Sequence, residues 1–179
     1  MKISRKNNVF LIISLSLFVF CMMNSVTFAD EPFAPKVNPS KKMANRQMYV
    51  NLVKQWKVPS KNTVGLPPYS GAYIVALMES VEMTANDKKF TTLPAMTLAT
   101  VDEPAKVAAF YKEKLKDWKY KNSFDMFDIF WKGPDDFNNF DVTQSSIIPN
   151  VVIFESTPSQ SDMMPEAKTL ITIVYEPVK

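Results

Sequence analysis

PAMTLATVDEPAKVAAFYKEKLKDW, residues 94–118, decides the fold, because it passes from strand to helix within a few positions. Its first part belongs to a strand over residues 90–101 that is broken or bulged at Pro94, since proline cannot donate to a sheet ladder. Asp102 then reads as a helix cap, with Pro104 in the first turn. Val107, Phe110, Tyr111, Leu115 and Trp118 recur at helical spacing and form the apolar stripe of the clearest helix in the chain.

Upstream of this stretch, Tyr73, Val75, Leu77, Val81 and Met83 share one face of a long strand over 73–83, interrupted only by Glu79. Asn86-Asp87-Lys88-Lys89 turns the chain into the next strand. Residues 30–39 carry three prolines and read as an extended arm. Asn38 with Pro39 then opens a first helix, where Ala44, Met48, Leu52 and Trp56 repeat at helical spacing. Residues 58–71 are a Pro/Gly/Ser linker. Downstream, residues 126–132 alternate, with Phe127, Ile129 and Trp131 on one face. Gly133-Pro134-Asp135-Asp136 turns the chain into an irregular segment. Strands follow at 151–156 and 168–176, the last apolar on both sides and therefore expected to be central in its sheet. The expected fold is α+β, in the order α-β-β-α-β-β-β. It has a mostly antiparallel sheet of about five strands and helices packed on one face. Residues 30–71 supply the arm, helix and linker, and 72–179 the α+β domain, the two making one unit.

The N-terminus reads as an export signal. Lys2, Arg5 and Lys6 precede the apolar run VFLIISLSLFVF at 9–20, and small residues Thr27 and Ala29 fit a cleavage after Ala29. The run is short for a spanning helix, which needs ~20 apolar residues. Contact with a membrane is therefore expected only through this segment before cleavage, and the working protein is expected in the periplasm or secreted. Bulky Phe20 argues against lipid attachment at Cys21. Cleavage removes three of the 21 Lys+Arg and none of the 18 Asp+Glu, which leaves a mature chain of zero formal charge. Nucleic-acid binding then loses its electrostatic argument. The only cysteine, Cys21, leaves with the signal, and the chain has no histidine. The commonest general base and metal ligand is thus missing.

The pattern Asp102-x-Pro104-x-x-Val107-x-x-Phe110-Tyr111-x-x-x-Leu115-x-x-Trp118 resembles a helix module of uncharacterised exported bacterial proteins. Asp117 stands where that module often has glycine. The resemblance covers roughly residues 94–118 and implies an exported α+β domain, with no reaction attached. The same stretch is similar to a βαβββ half of the vicinal-oxygen-chelate (glyoxalase-like) fold. That family takes metal ligands from His and Glu, and here Glu155 is the one carboxylate on a strand suited to that role.

Glycines stand only at 65, 71 and 133, so there is no nucleophile elbow, P-loop or dinucleotide fingerprint. A Ser-Lys pair formed only in space and a carboxylate pair such as Asp125 with Asp128 are the remaining catalytic options, and no catalytic residue or cofactor is assigned. Asp135, Asp136, Asn138 and Asp141 are weak calcium candidates, because Phe140 occupies the place of a third ligand in the alternating loop. Met163-Met164 could serve copper(I), but methionine fills irregular cores. Aromatic residues crowd 124–140. Phe130 with Met126, and Phe137 and Phe140 beyond them, form either covered core or an exposed patch for an apolar ligand or an envelope partner protein. The leading expectation is an exported, non-catalytic binding protein. Its rivals are a structural envelope component, a degenerate glyoxalase-like metal module and a carboxylate-dependent enzyme.

Overall fold

The structure is a computed structural model and describes residues 30–38, 53–85, 87–123, 127–139, 141–157 and 163–178. The export segment with Cys21, most of the first predicted helix, Asp125, Met126 and Phe140 lie outside these residues. Eight strands and three short helices are described: α1 (Lys61–Val64), β1 (Tyr73–Met78), β2 (Glu82–Ala85), β3 (Lys88–Thr91), β4 (Ala95–Thr100), α2 (Pro104–Lys114), β5 (Lys119–Ser123), β6 (Phe127–Trp131), α3 (Val142–Ile147), β7 (Asn150–Glu155) and β8 (Thr169–Val174). Residues 53–55 add one further helical turn.

Six strands form one antiparallel sheet in the order β1-β4-β8-β7-β6-β5, and β2 and β3 form a separate two-stranded ribbon. The class is α+β with an antiparallel sheet, as expected, but the sheet has six strands and not about five. The extra strand is β5, whose sequence KYKNS has no apolar alternation because it lies at the sheet edge and is mostly exposed. The last strand does sit inside the sheet, between β4 and β7.

The two long strands read upstream are each divided. The first stops at Met78 and resumes at Glu82, and the second breaks at residues 92–94 around Pro94. Thr92 holds this joint: its backbone N–H donates to the Val81 carbonyl at 2.9 Å, and its hydroxyl accepts from the Val81 N–H at 3.0 Å. A bulge between Ile74 and Ala76 also shifts the register of β1. Leu77 therefore shares a core with Ile74, in place of the single alternating face that the sequence suggested.

One sheet face carries the main core. Val107 and Tyr111 of α2 are fully buried against Leu98, Val151, Ile153, Ile171 and Ile173. Burying such aliphatic side chains is worth about 1.5–3 kcal/mol each, an upper range for any real unfolded chain. Phe33, Ala34, Val64 and Tyr69, all ahead of β1, join the same core. The segment read as a linker therefore packs inward at Val64 and Tyr69.

Asp102 does not cap α2. Glu103 holds the cap position without a side-chain bond, Pro104 follows at the first helical position, and Asp102 lies one residue earlier. The helix ends at Leu115, whose N–H donates to the Tyr111 carbonyl at 2.8 Å, and the Trp118 N–H donates to Leu115 at 3.0 Å. Among the described residues, Asp87 is the one non-glycine with positive φ. This exit from the helix needs no left-handed residue, which accounts for Asp117 where the resembling module has glycine.

The opposite face has a smaller cluster of Val37, Val75, Ala99, Met164, Ala167 and Leu170. Helix α3 lies on this side too: Asn150, which shares its face with its register partners Trp131 and Val174, donates through Nδ2 to the Ser145 and Ile148 carbonyls at 2.8 and 2.7 Å. The expectation of helices on one face is corrected accordingly.

The hydroxyl of Tyr111 is buried with no hydrogen-bond partner among the described residues. An unsatisfied buried hydroxyl costs about 1–3 kcal/mol. Tyr111→Phe keeps the ring packing and is expected to raise stability by about 1 kcal/mol in urea unfolding. A loss of similar size would show that an internal water satisfies the group.

Candidate functional site

Of the predicted aromatic patch, the described residues Phe130 and Phe137 do not come together at the surface. Phe130 is 1 % exposed in the main core. Its ring centroid lies 5.0 Å from that of Tyr120 and 6.3 Å from that of Tyr111. Ile129 and Trp131, on the other face of the strand, are buried as well. Phe137 is half-buried and stacks on Trp131 at 5.3 Å, while the Trp131 indole N–H donates to the Pro134 carbonyl at 2.8 Å. Both faces of β6 are thus covered, one by α2 and the other by the turn after β6. Phe130 and Phe137 lie on opposite sides of the sheet and form no joint patch.

Two of the four calcium candidates, Asp141 and Asp135, are engaged in structural bonds. The Asp141 carboxylate caps α3, accepting from the Thr143 and Gln144 N–H groups at 2.8 and 3.2 Å. Asp135 pairs with Lys119 at 2.6 Å, and Asp136 and Asn138 are exposed. Asp128 accepts from the Tyr120 hydroxyl and the Asn122 amide. Glu155 is exposed at the end of β7. Among the described residues no three acidic side chains come together in a metal-holding group. Met164 is buried in the second cluster and Met163 packs beside it.

A concave site forms elsewhere, at the end of the main core beyond the C-terminus of α2. It is a cleft of about 240 Å³, with Val64, Leu66, Trp118, Pro149, Pro177 and Val178 among its apolar walls. Lys132 and Glu176, both exposed, supply its charged groups. Local chemistry builds each wall. The Ser60 hydroxyl accepts from the Thr63 N–H at 3.0 Å and starts the single turn of α1. Gly65 ends that turn at φ +64, a conformation that costs a side-chain-bearing residue about 1 kcal/mol. The Val178 N–H donates to the Thr63 carbonyl at 2.9 Å, which lays the C-terminal segment across α1. A Cβ on Gly65 would stand 2.7 Å from a Val178 methyl, so glycine also makes room for this crossing. On the far side, the turn from Leu115 sets Trp118 into the wall.

These wall residues come from five separate stretches, and the sequence reading named none of them as a site residue, placing Trp118 only in the apolar stripe of α2. Ser60 and Gly65 did carry a signal. A serine and a glycine bracketing KNTV mark a capped helical turn.

A polar cluster stands at the other end of α2. The Tyr69 hydroxyl donates to Asp102 Oδ2 at 2.8 Å, the Lys106 ammonium donates to Oδ1 at 2.8 Å, and the Thr169 hydroxyl donates to the Asp102 carbonyl at 2.6 Å. Lys106 first, then Tyr69, hold the Asp102 carboxyl below its ordinary range. Burial, followed by the bond to Asp102, pushes Tyr69 up to about 12. Burial also raises Tyr111 and Tyr175, and the bond to Asp128 raises Tyr120. Through Tyr69 the cluster ties the segment before β1 to the start of α2, and through Thr169 it ties β8 to the same point.

A pH dependence follows. An unfolded tyrosine ionises near pH 10. The native state holds the Tyr69 proton to about pH 12, so this contribution is intact below about pH 10 and is lost as pH rises to about 12. The contribution of Asp102 is present above the ordinary carboxylate range and fades as pH falls through its lowered value. In an alkaline titration the raised tyrosines are expected to ionise together with cooperative loss of circular dichroism. Independent ionisation of every tyrosine near pH 10, with the fold intact, would contradict this assignment.

Comparison of the chain with protein-family models, curated proteins and solved structures returns no match.

Proposed function

We propose that this is an exported, non-catalytic binding protein whose cleft beside Trp118 receives an apolar group. The cleft itself carries the reading. Its walls combine Trp118, Leu66, Val64, Val178 and two prolines with Tyr175, Lys132 and Glu176, a mixed apolar and polar lining that can hold a small apolar group and orient it through polar contacts. Its volume, below the ~300–1,000 Å³ of pockets that enclose a drug-sized ligand, suits a single side chain or a short alkyl group. The absence of histidine and the engagement of Asp102, Asp128, Asp135 and Asp141 in structural bonds support binding over catalysis. Residues 1–29 act as the export signal in this reading, which makes the working protein periplasmic or secreted.

Native mass spectrometry of the protein purified from its own host tests both parts. The expected spectrum shows a chain beginning at Asp30 that retains an apolar ligand or a protein partner. A chain that keeps residues 1–29 would contradict export with cleavage, and a bare monomer would contradict the binding role.

A further inference from the structure

The cleft carries one cation and one anion, and neither is paired. Lys132 directly follows β6, and Glu176 stands two positions after β8. Both are exposed and both line the cleft. Neither forms an ion pair among the described residues. The sheet sets the distance between them. Trp131, Asn150 and Val174 are aligned across β6, β7 and β8. The ends of β6 and β8 therefore lie two strand spacings apart, about 10 Å. The Lys132 N–H donates to the Pro149 carbonyl at 3.0 Å, and the Tyr175 N–H donates to the Pro94 carbonyl at 3.2 Å, which holds the backbone beside both charges. Val64, Leu66 and Trp118 supply apolar wall in the same cleft.

We infer that the cleft binds a free α-amino acid with an apolar side chain, its carboxylate at Lys132, its ammonium at Glu176 and its side chain against Trp118. The inference rests on the apolar-cleft reading above and names its ligand class. A ligand with a single charge leaves Lys132 or Glu176 without a partner, whereas a zwitterion meets both with charge-assisted hydrogen bonds. The spacing of about 10 Å between the strand ends leaves room for an α-carbon and its two charged groups between the two side chains. The volume of about 240 Å³ holds one apolar side chain and is below that of pockets for larger ligands. Because both protein charges are exposed, each pair contributes only about threefold in affinity. The charges thus select and orient the ligand, and the apolar wall receives its side chain.

The test titrates the full mature chain with L-leucine and three relatives, followed by NMR. Leucinamide keeps only the ammonium, N-acetyl-leucine keeps only the carboxylate, and N-acetyl-leucine amide has neither. Leucine is expected to bind about tenfold more tightly than N-acetyl-leucine amide, with the two singly charged relatives between them. Glycine, a zwitterion without a side chain, is expected to bind more weakly than leucine. Two variants assign the charges, each read as a ratio of affinities within that variant, so that any general change in the cleft cancels. In Lys132→Gln the advantage of leucine over leucinamide is expected to fall from about threefold to none. In Glu176→Gln the advantage of leucine over N-acetyl-leucine is expected to vanish likewise. Equal binding of leucine and N-acetyl-leucine amide would overturn the zwitterion and leave the apolar cleft standing. A singly charged relative that binds as tightly as leucine would overturn the pairing of the missing charge. Ratios unchanged in the variants would overturn the roles of Lys132 and Glu176, and glycine binding as tightly as leucine would overturn the side-chain contact. Failure of all the leucine compounds to bind would overturn this inference and the cleft reading together.

Discussion

Phe130→Ser is expected to lower stability by about 4 kcal/mol, the range for emptying a buried phenylalanine site. The ring is 1 % exposed and packs between Tyr111 and Tyr120, beside its cross-strand neighbour Val151. The loss is larger than transfer energy alone, because α2 and the sheet around the site relax only partly into the space. Serine adds an unpaired hydroxyl in the same place. For a chain of this length the melting temperature should fall by about 10 °C, read in a thermal unfolding curve. A loss under about 1 kcal/mol would mean that the ring lies at the surface. Phe137→Ser, beside a half-buried ring, should cost clearly less.

The second large effect is expected at Asn150, a polar side chain that is 1 % exposed. Its amide donates to the carbonyls of Ser145 and Ile148 at 2.8 and 2.7 Å, and so ties the end of α3 to the start of β7. Ser145 lies near the end of α3, where carbonyls lack partners inside the helix. Asn150→Leu fits the volume but strands both carbonyls against an apolar group. The expected cost is about 2–4 kcal/mol, from two lost bonds and the desolvation left behind. Asn150→Asp should do no better, because a carboxylate has no hydrogen to give. Urea unfolding measures both. An unchanged midpoint for Asn150→Leu would show that water reaches α3 and takes over the bonds.

These two positions mark where the sequence was legible and where it was not. The stripe of Val107, Tyr111 and Leu115 identified α2 because that helix is buried on one side only, so its periodicity has contrast. Strand β8 announced its central place through apolar residues on both faces. Strand β6 could not be resolved in the same way. With Phe130 buried on one face and Ile129 and Trp131 on the other, alternation carries no information about which side is solvent. The sheet edge β5 escaped for the opposite reason, since KYKNS buries only Ser123 fully. Asp102 looked like a cap by type and spacing, but its carboxylate is taken by Tyr69, a partner 33 positions away. The cleft was not legible as a site: Trp118 was read only as part of the apolar stripe of α2. Its other walls meet through tertiary packing of α1, the C-terminal segment and the loop before β7, which no local pattern records.

The most direct test of the apolar cleft follows the indole N–H resonances of Trp56, Trp118 and Trp131 by NMR while N-acetyl-leucine amide is added. Trp131 is buried, with its indole N–H bonded to Pro134, and Trp56 does not line the cleft. Both therefore serve as internal references. The Trp118 signal is expected to shift progressively and saturate while the other two stay in place. A Trp118 signal that never moves, or three signals that move alike, would contradict a binding site at this cleft.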